Sequence, residues 1–218
     1  MIDPDGGRFT CSYDAVGRTE QLTNPQGDRT TFTYDTTGRR TRKQLANGTR
    51  ASFTYDAGDQ LIQLFNLKSD GSVISGFDYA YDPTGNRDRV LESNGDRVTW
   101  SYDATYQLTN ERRSGANAYN TTFAYDAVGN RLVKDEGGSL ITYTYDAANQ
   151  LQTAQNASGV TTYTFDPNGN QQVVVEPTAN RTTWTWDYEN QPTLVQLPTG
   201  VRVTMAYHAD NRRVKKET

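Results

Sequence analysis

An aromatic residue followed by aspartate recurs along this sequence at an interval of about twenty-one residues. A fixed interval of this length means that one supersecondary unit has been copied many times, so the chain is predicted to be a repeat protein. The tenth copy has histidine in place of the aspartate. The repeat-signature positions, which include the glycine that often follows the aspartate, are Tyr13, Asp14, Gly17, Tyr34, Asp35, Gly38, Tyr55, Asp56, Tyr81, Asp82, Gly85, Tyr102, Asp103, Tyr125, Asp126, Gly129, Tyr145, Asp146, Phe165, Asp166, Gly169, Trp186, Asp187 and Tyr207.

The residues before each aromatic–Asp step alternate between hydroxyl and aromatic side chains. Residues 31–34 read Thr-Phe-Thr-Tyr and residues 142–145 read Thr-Tyr-Thr-Tyr. An alternation of period two places the aromatics on one face of a strand and the hydroxyls on the other. A helix would put Phe32 and Tyr34 on opposite sides. Each step is therefore predicted to close a strand that has an aromatic face and a threonine-rich face.

The aspartate of each step is predicted to start a turn, with its carboxylate accepting the amide N–H two residues later. The position four residues after the aromatic holds Gly, Asn or Asp in nine of the ten repeats. These residues tolerate a left-handed backbone, so a positive φ is predicted there. Tyr106 occupies this position in the remaining repeat, and there the turn must differ or carry strain.

A second strand and a second turn complete each repeat. The dipeptides at 47–48, 70–71, 94–95, 137–138 and 158–159 end in glycine and predict type I′ hairpin turns with two positive φ angles. Two longer intervals, at 61–76 and 115–117, are interpreted as longer hairpins. The expected fold is all-β: residues 1–218 form a single region of about ten antiparallel β-hairpin repeats, in one continuous, curved or spiralling sheet.

Composition narrows the functions that this chain can have. The net charge of −4 and the pI of about 5.1 argue against nucleic acid as a partner, because phosphate binding needs a basic surface. The basic residues at 212–216 are interpreted as a solvated, edge-protecting stretch. No apolar run reaches the length of a membrane span. The single cysteine, Cys11, cannot form an intrachain disulfide and is expected to be a buried thiol.

The sequence predicts no catalytic residue, no cofactor and no metal, and hence a protein that is not an enzyme. His208, the one histidine, stands where the other repeats have Asp and is interpreted as a turn residue and not as a general base. One Cys and one His are too few for a zinc site. Residues 166–170 are faintly similar to a calcium loop but lack its downstream glutamate, so an Asx-turn explains them. No phosphate-binding loop or dinucleotide fingerprint is present.

The tryptophans leave two interpretations open. Trp184 and Trp186 fall at the aromatic positions of their repeat, where packing in the sheet face is expected. Exposed aromatic rings also stack on sugars, so these two residues are the candidates for contact with a glycan.

The pattern Tyr-Asp-x-x-Gly-[Arg/Asn] at 34–39, 81–86 and 125–130 resembles the RHS/YD-repeat family, and the resemblance extends over nearly the whole chain. It implies a spiralling β-shell. In bacterial polymorphic toxins that shell encloses a toxic C-terminal domain used in competition between bacteria, and teneurin-type receptors carry a similar one. The chain is then expected to be a fragment of a longer shell from a secreted or cell-surface protein. The family's Asp-Pro-x-Gly-Leu cleavage motif is absent, because neither 82–85 nor 166–169 is followed by Leu.

Three functional hypotheses follow. The first is a structural shell segment that encapsulates a C-terminal toxin or another polypeptide of its parent protein. The alternative is a cell-surface adhesion module that binds carbohydrate, and an enzyme is the weakest of the three. Open sheet edges also predict self-association of the chain.

Overall fold

The structure is a computed structural model that describes residues 6–218. These residues form twenty antiparallel strands in one open sheet, and they contain no helix. The all-β prediction and the two strands per repeat are therefore confirmed. The strands are β1 (Thr10–Tyr13), β2 (Thr19–Thr23), β3 (Arg29–Tyr34), β4 (Arg40–Gln44), β5 (Arg50–Tyr55), β6 (Leu61–Leu67), β7 (Val73–Tyr81), β8 (Arg87–Glu92), β9 (Arg97–Tyr102), β10 (Leu108–Ser114), β11 (Tyr119–Tyr125), β12 (Arg131–Glu136), β13 (Ser139–Tyr145), β14 (Leu151–Asn156), β15 (Gly159–Phe165), β16 (Gln171–Val175), β17 (Arg181–Trp186), β18 (Pro192–Gln196), β19 (Arg202–Tyr207) and β20 (Arg213–Glu217).

The chain divides into two compact units. Of the described residues, the first comprises 6–101 with Glu111–Tyr119, and the second comprises Tyr102–Asn110 with Asn120–Thr218. Within each unit every strand pairs with the strands next to it in sequence, as in β3 with β4 and β13 with β14. Chain order therefore equals spatial order in each unit, as expected for tandem hairpins.

The strands alternate in burial as the sequence predicts. In β3 the rings of Phe32 and Tyr34 are half-buried, whereas Thr31 and Thr33 are exposed. Burial is shallow, because among the hydrophobic residues of 6–218 only Val90 and Val98 are buried, at 6% and 5% exposure. A sheet with so small an interior depends on contacts between adjacent strands and repeats, as other repeat proteins do.

A β-bulge marks the end of the aromatic strand in the repeat. In the β3–β4 pair, Thr33 faces Arg42 but Tyr34 faces Arg40, so the residue between these two arginines has no partner. The same one-residue shift occurs in the first unit at β1–β2, β5–β6 and β7–β8 and in the second unit at β11–β12, β13–β14, β15–β16, β17–β18 and β19–β20. A bulge bends its strand and increases the local twist, so each of these hairpins carries the same local distortion.

The turns that follow the second strand of each repeat show that the prediction of type I′ geometry is largely wrong. Both central residues have positive φ only at Gly137 and Gly138, with values of 60° and 94°. At 47–48, 70–71, 94–95 and 158–159 the glycine alone has positive φ. The loop at 45–49 shows the reason, since the Leu45 N–H donates to the Thr49 carbonyl and the Gly48 N–H donates to the Leu45 carbonyl. This loop has three residues between its paired ends, and such loops need only one left-handed residue.

The two longer intervals are longer hairpins, as predicted. Strands β6 and β7 have seven and nine residues, and the Lys68 N–H donates to the Ser72 carbonyl across their turn. In the other interval Gly115 and Asn117 take positive φ values of 99° and 60°, which widens the loop between β10 and β11.

The prediction of a buried thiol is wrong, because Cys11 is exposed. It lies on β1, which pairs with β2 on one side only among the described strands, so no neighbouring repeat covers the side chain. The basic stretch lies on β20, where every residue is exposed, in agreement with its interpretation as a solvated edge.

Candidate functional site

The most regular feature of the molecule is the row of turns that the aspartates start. In the second repeat, Oδ1 of Asp35 accepts hydrogen bonds from the amides of Thr37 at 3.0 Å and Arg39 at 2.9 Å. The backbone closes the same loop, with Asp35 N–H donating to the Arg39 carbonyl and Gly38 N–H donating to the Asp35 carbonyl. The predicted Asx-turn is confirmed, with the same pair of amide bonds at 2.8–3.0 Å, at Asp14, Asp35, Asp56, Asp82, Asp103, Asp126, Asp146, Asp166 and Asp187.

The predicted left-handed residue is present in each of these nine turns and in the equivalent turn at His208. Positive φ is found at Gly17, Gly38, Asp59, Gly85, Tyr106, Gly129, Asn149, Gly169, Asn190 and Asn211. Tyr106 adopts φ of 66° and keeps the common turn, because its N–H donates to the Asp103 carbonyl at 3.1 Å. Of the two outcomes predicted for Tyr106, the structure therefore shows the strained one.

In several of these turns, hydrogen bonds lower the pKa of the aspartate. The Thr84 hydroxyl and the Asn86 side-chain amide lower the pKa of Asp82 to about 2, and the amides of the turn act in the same direction. The side chain of Asn130 lowers the pKa of Asp126, and that of Asn170 lowers the pKa of Asp166. Hydrogen bonds that are donated to a carboxylate favour its charged form, so these three groups are ionised hydrogen-bond acceptors at neutral pH.

A second set of contacts joins six of the repeats to the one before them through the signature aromatic, whereas the Tyr207 hydroxyl donates to Met205 Sδ. The Tyr34 hydroxyl donates to the Thr19 carbonyl at 2.9 Å, and the Tyr125 hydroxyl donates to the Leu108 carbonyl at 2.9 Å. The acceptor is always the residue six positions after the preceding aromatic. The same bond is made by Tyr55, Tyr81, Tyr145 and, through its indole N–H, Trp186. Phe165 has no hydroxyl to make it.

In several repeats the polar residue five positions after the aromatic reaches forward to the next turn. Arg18 donates from Nε to Asp14 Oδ2 at 2.6 Å and from Nη1 to the Asp35 carbonyl at 3.3 Å. Arg39 does the same in the next repeat, with Nη1 at 2.8 Å from the Asp56 carbonyl. Each guanidinium also lies over the next signature ring, Arg18 at 4.6 Å from the centroid of Tyr34 and Arg39 at 5.0 Å from that of Tyr55.

In the second unit, amides replace these arginines. The Asn130 side chain donates to Asn149 Oδ1 at 2.9 Å, that of Asn170 donates to Asn190 Oδ1 at 2.8 Å, and that of Gln191 reaches Asn211 in the same way. The repeat-signature residues are thus brought together as a ladder of contacts between neighbouring repeats.

Arginines also cover part of the aromatic face. The guanidinium of Arg131 lies 4.8 Å from the ring centroid of Tyr143 and 5.9 Å from that of Phe123. In the first unit, Arg87 lies 4.9 Å from the ring of Tyr79 and 5.7 Å from that of Trp100. Cation–π contact with a guanidinium occupies the ring face that a sugar would need.

The candidate glycan contacts, Trp184 and Trp186, are both half-buried in β17. The indole N–H of Trp186 donates to the Gln171 carbonyl at 2.8 Å, so this ring serves the ladder between repeats. Contact of these two residues with a glycan stays a prediction.

A cluster of charged residues in the first unit was not predicted. Arg113 donates to both carboxylate oxygens of Glu92, at 2.5 and 2.8 Å, and to Asp96 Oδ2 at 2.8 Å. Asp96 is buried, at 6% exposure, and its Oδ1 accepts the Ala116 amide at 3.1 Å. The Arg113 side chain lowers the pKa of Glu92. Every charge in the cluster is therefore satisfied internally, and its role is to fix the wide loop at 115–117.

The potential metal ligands and the single histidine of residues 6–218 do not lie in one cluster. No group of three His, Cys, Asp or Glu side chains is placed to hold a metal within this range. His208 makes the common turn, with the Asn211 N–H donating to its carbonyl at 2.9 Å, and its ring is exposed beside Asp210. None of the described residues forms a helix that could cross a membrane.

An open groove of about 490 Å³ lies in the second unit between two hairpin loops. Its lining includes Arg181, Thr183, Gln196 and Pro198, which are not signature residues.

Comparison with known proteins shows where this repeat occurs elsewhere. The model of the RHS repeat matches residues 13–50 and 125–161, so these two segments are RHS repeats and the resemblance found in the sequence is confirmed there. No curated protein matches the chain as a sequence relative.

Solved structures with the same fold come from Tc toxins. The Photorhabdus luminescens Tc holotoxin pore is 18% identical over 93% of this chain, with a TM-score of 0.62. TcdB2–TccC3 without its hypervariable C-terminal region is 16% identical over 96%, with a TM-score of 0.65, and TcdB2–TccC3–TEV is 20% identical over 99%, with a TM-score of 0.62. The chain spans only 13%, 15% and 12% of the lengths of these three chains. At such low sequence identities, the similarity of these structures shows a shared fold only.

Proposed function

We propose that this chain, which carries RHS repeats, is a wall segment of an RHS-type shell that encloses a C-terminal toxin or another polypeptide of its parent protein. The observation that carries the proposal is the ladder between repeats. One tyrosine hydroxyl bond and one forward-reaching polar side chain, as in Tyr34 and Arg39, recur along the chain. A contact that recurs in this way lets a sheet be extended repeat by repeat. A binding site for one ligand would instead bring several different side chains together in one place.

The two faces of the strands have the properties expected of the wall of a shell. The aromatic face is half-buried and partly covered by arginines, while the opposite face exposes short hydroxyl side chains such as Thr33, Thr144 and Thr164. A threonine-rich surface has few apolar groups to hold an unfolded client by the hydrophobic effect. We assign this face to the enclosed volume. Delivery of such a shell places the parent protein outside the cell that makes it, so we propose that it is secreted.

The solved structures support the proposal through their fold. One of them is a Tc holotoxin pore, and another is TcdB2–TccC3 without its hypervariable C-terminal region. A variable C-terminal region is the kind of polypeptide that a common shell would carry.

Limited proteolysis of the full parent protein tests encapsulation. A C-terminal fragment that is protected in the intact protein, and becomes sensitive when the wall is loosened by Tyr125→Ala, is the expected result. The variant removes the Tyr125 ring together with its bond to the Leu108 carbonyl. Thr164→Ala, on the exposed face, is the matched control and should leave protection intact. A C-terminal fragment that is digested equally fast in both variants and in the intact parent would refute the proposal.

A further inference from the structure

Three consecutive strands of the first unit carry positive charge and no negative charge. β3, β4 and β5 contain four arginines and one lysine, and none of these strands contains Asp or Glu. The chain as a whole has a net charge of −4, so this part of the sheet is basic in an acidic protein. A local excess of one charge sign creates a potential that attracts groups of the opposite sign.

The strand register places three of these charges on the threonine-rich face. Arg42 pairs with Thr33 on one side and with Ser52 on the other, and residues that pair across antiparallel strands share a face. Arg29 lies four residues before Thr33, and Arg50 lies two residues before Ser52. Because side chains alternate along a strand, all three arginines belong to the same face.

These three arginines form no ion pair with the described residues. Every contact within 4 Å between an arginine and a carboxylate in 6–218 involves Arg18, Arg39 or Arg113. Arg42 bonds to a glutamine side chain and Arg50 to a backbone carbonyl, both uncharged. The charges on this face are therefore available to an acidic partner.

The spacing of the arginines matches an extended polypeptide. Arg29 and Arg50 begin β3 and β5, and Arg181 and Arg202 begin β17 and β19 in the second unit. Equivalent residues two strands apart are separated by about 9.6 Å. A polyproline II segment brings every third side chain to one side at intervals of about 9.3 Å, so acidic residues at that spacing can meet successive arginines.

We propose that the threonine-rich face of β3, β4 and β5 binds an acidic segment of polypeptide. The inference deepens the proposed function, from which it takes the source of the segment, the enclosed part of the parent protein. Thr31, Thr33 and Gln44 lie between the arginines on this face and offer hydrogen bonds to peptide groups. Exposed charge pairs are weak and are screened by salt, so the segment is bound reversibly.

Nucleic acid fits this surface less well than an acidic polypeptide. Its phosphates form a dense line of charge, which the net charge of −4 of the whole chain repels. An acidic polypeptide has fewer charges and can place them where the arginines lie. The charge balance of the chain therefore favours a polypeptide.

Fluorescence anisotropy with a labelled polyglutamate peptide tests the surface. The 218-residue chain should bind this peptide at low ionic strength, and the affinity should fall as salt is added, because salt screens exposed charges. Arg29→Gln with Arg42→Gln should weaken binding about five-fold, as expected for the loss of two exposed charge pairs. Arg29→Lys with Arg42→Lys keeps the charge and should retain most of the affinity.

Arg40→Gln with Lys43→Gln is the matched control, because it removes the same amount of positive charge from the other face. Lys43 pairs with Phe32, and the Arg40 guanidinium lies 5.0 Å from the centroid of the same ring. This variant should bind polyglutamate nearly as tightly as the wild-type chain, with circular dichroism to check that each variant keeps its strands.

Three results would overturn the proposal: no binding of polyglutamate, equal losses in the two glutamine variants, or equally tight binding of polylysine. Tighter binding of a single-stranded oligonucleotide that depends on Arg29 and Arg42 would assign the face to nucleic acid and would also overturn it. These measurements use the chain alone, whereas encapsulation is measured by protection of a fragment in the parent protein. A chain that ignores polyglutamate while the parent still protects its fragment would refute this inference and leave encapsulation standing.

Discussion

Replacing Tyr106 by glycine should stabilise the protein, although it deletes a large aromatic side chain. Tyr106 adopts φ of 66° in a position where other repeats have Gly, Asn or Asp. A non-glycine residue in the left-handed region costs about 1–2 kcal/mol, and glycine removes that strain. The side chain is 60% exposed, so little packing is lost with it.

Glycine also makes the unfolded chain more flexible, which costs about 0.4–1 kcal/mol. The difference leaves a net stabilisation of about 0.5–1 kcal/mol for Tyr106→Gly. For a chain of this size, that corresponds to a rise of about 1–4 °C in the thermal midpoint. Far-ultraviolet circular dichroism during heating measures the midpoint, and urea unfolding followed by tryptophan fluorescence checks it.

Gly38→Ala is the matched control with the opposite sign. Gly38 has φ of 92°, and a Cβ there would meet Arg18 Nη1 at 3.6 Å, an ordinary contact. The alanine therefore adds backbone strain without a steric clash, and it should destabilise by about 0.5–1 kcal/mol. Destabilisation by Tyr106→Gly, or no loss of stability in Gly38→Ala, would refute the argument that backbone strain dominates in these turns.

The ladder predicts that Tyr125→Phe destabilises the folded protein by about 1 kcal/mol, because one hydrogen bond is lost. Phe165→Tyr gains the equivalent bond and should not destabilise it. The urea midpoints of the two variants should therefore differ. The pKa of Asp82 is lowered from 3.8 to about 2 in the folded state, so the folded protein binds fewer protons at this carboxylate than the unfolded chain does. Its stabilising effect is therefore present above about pH 4 and is lost as the pH falls towards 2. The free energy of unfolding of Asp82→Asn, measured by acid unfolding, should change less over that interval. Gly76→Ala would bring a Cβ to 2.4 Å from Cε1 of Phe65 and should cost about 1–3 kcal/mol, with partial rescue by Phe65→Leu in the same denaturation assay.

Local rules in the sequence predicted the features that each repeat makes by itself. The alternation in β3 gave the strand and its faces, and the aspartate with a left-handed residue three positions later gave the turn at Asp35. These features involve residues within five positions of each other, so the repeated pattern reveals them. Tyr106 shows how strong the pattern is, because the turn forms there despite an unfavourable residue.

Contacts between repeats were harder to predict. The sequence shows a long polar residue after each turn, but not that Arg39 bonds back to Asp35 and forward to the Asp56 carbonyl. The hydroxyl bond of Tyr34 and the cluster around Arg113 were missed for the same reason, since their partners are about fifteen to twenty residues away. The type I′ prediction at 47–48 failed because glycine at the end of a loop fits two loop lengths, and the dipeptide alone does not distinguish them.

The sequence by itself determined the all-β class, the two strands per repeat and the geometry of the turns that the aspartates start, because those depend on alternation, on side chains that bond to nearby amides and on residues that accept positive φ. Only the tertiary structure decided which aromatics are covered and which groups join the repeats, and it left Cys11 and Tyr13 exposed on β1. The physical reason is that burial in a sheet with so small an interior comes from the neighbouring strand, and a side chain identical in sequence context is buried or exposed according to whether that neighbour is present.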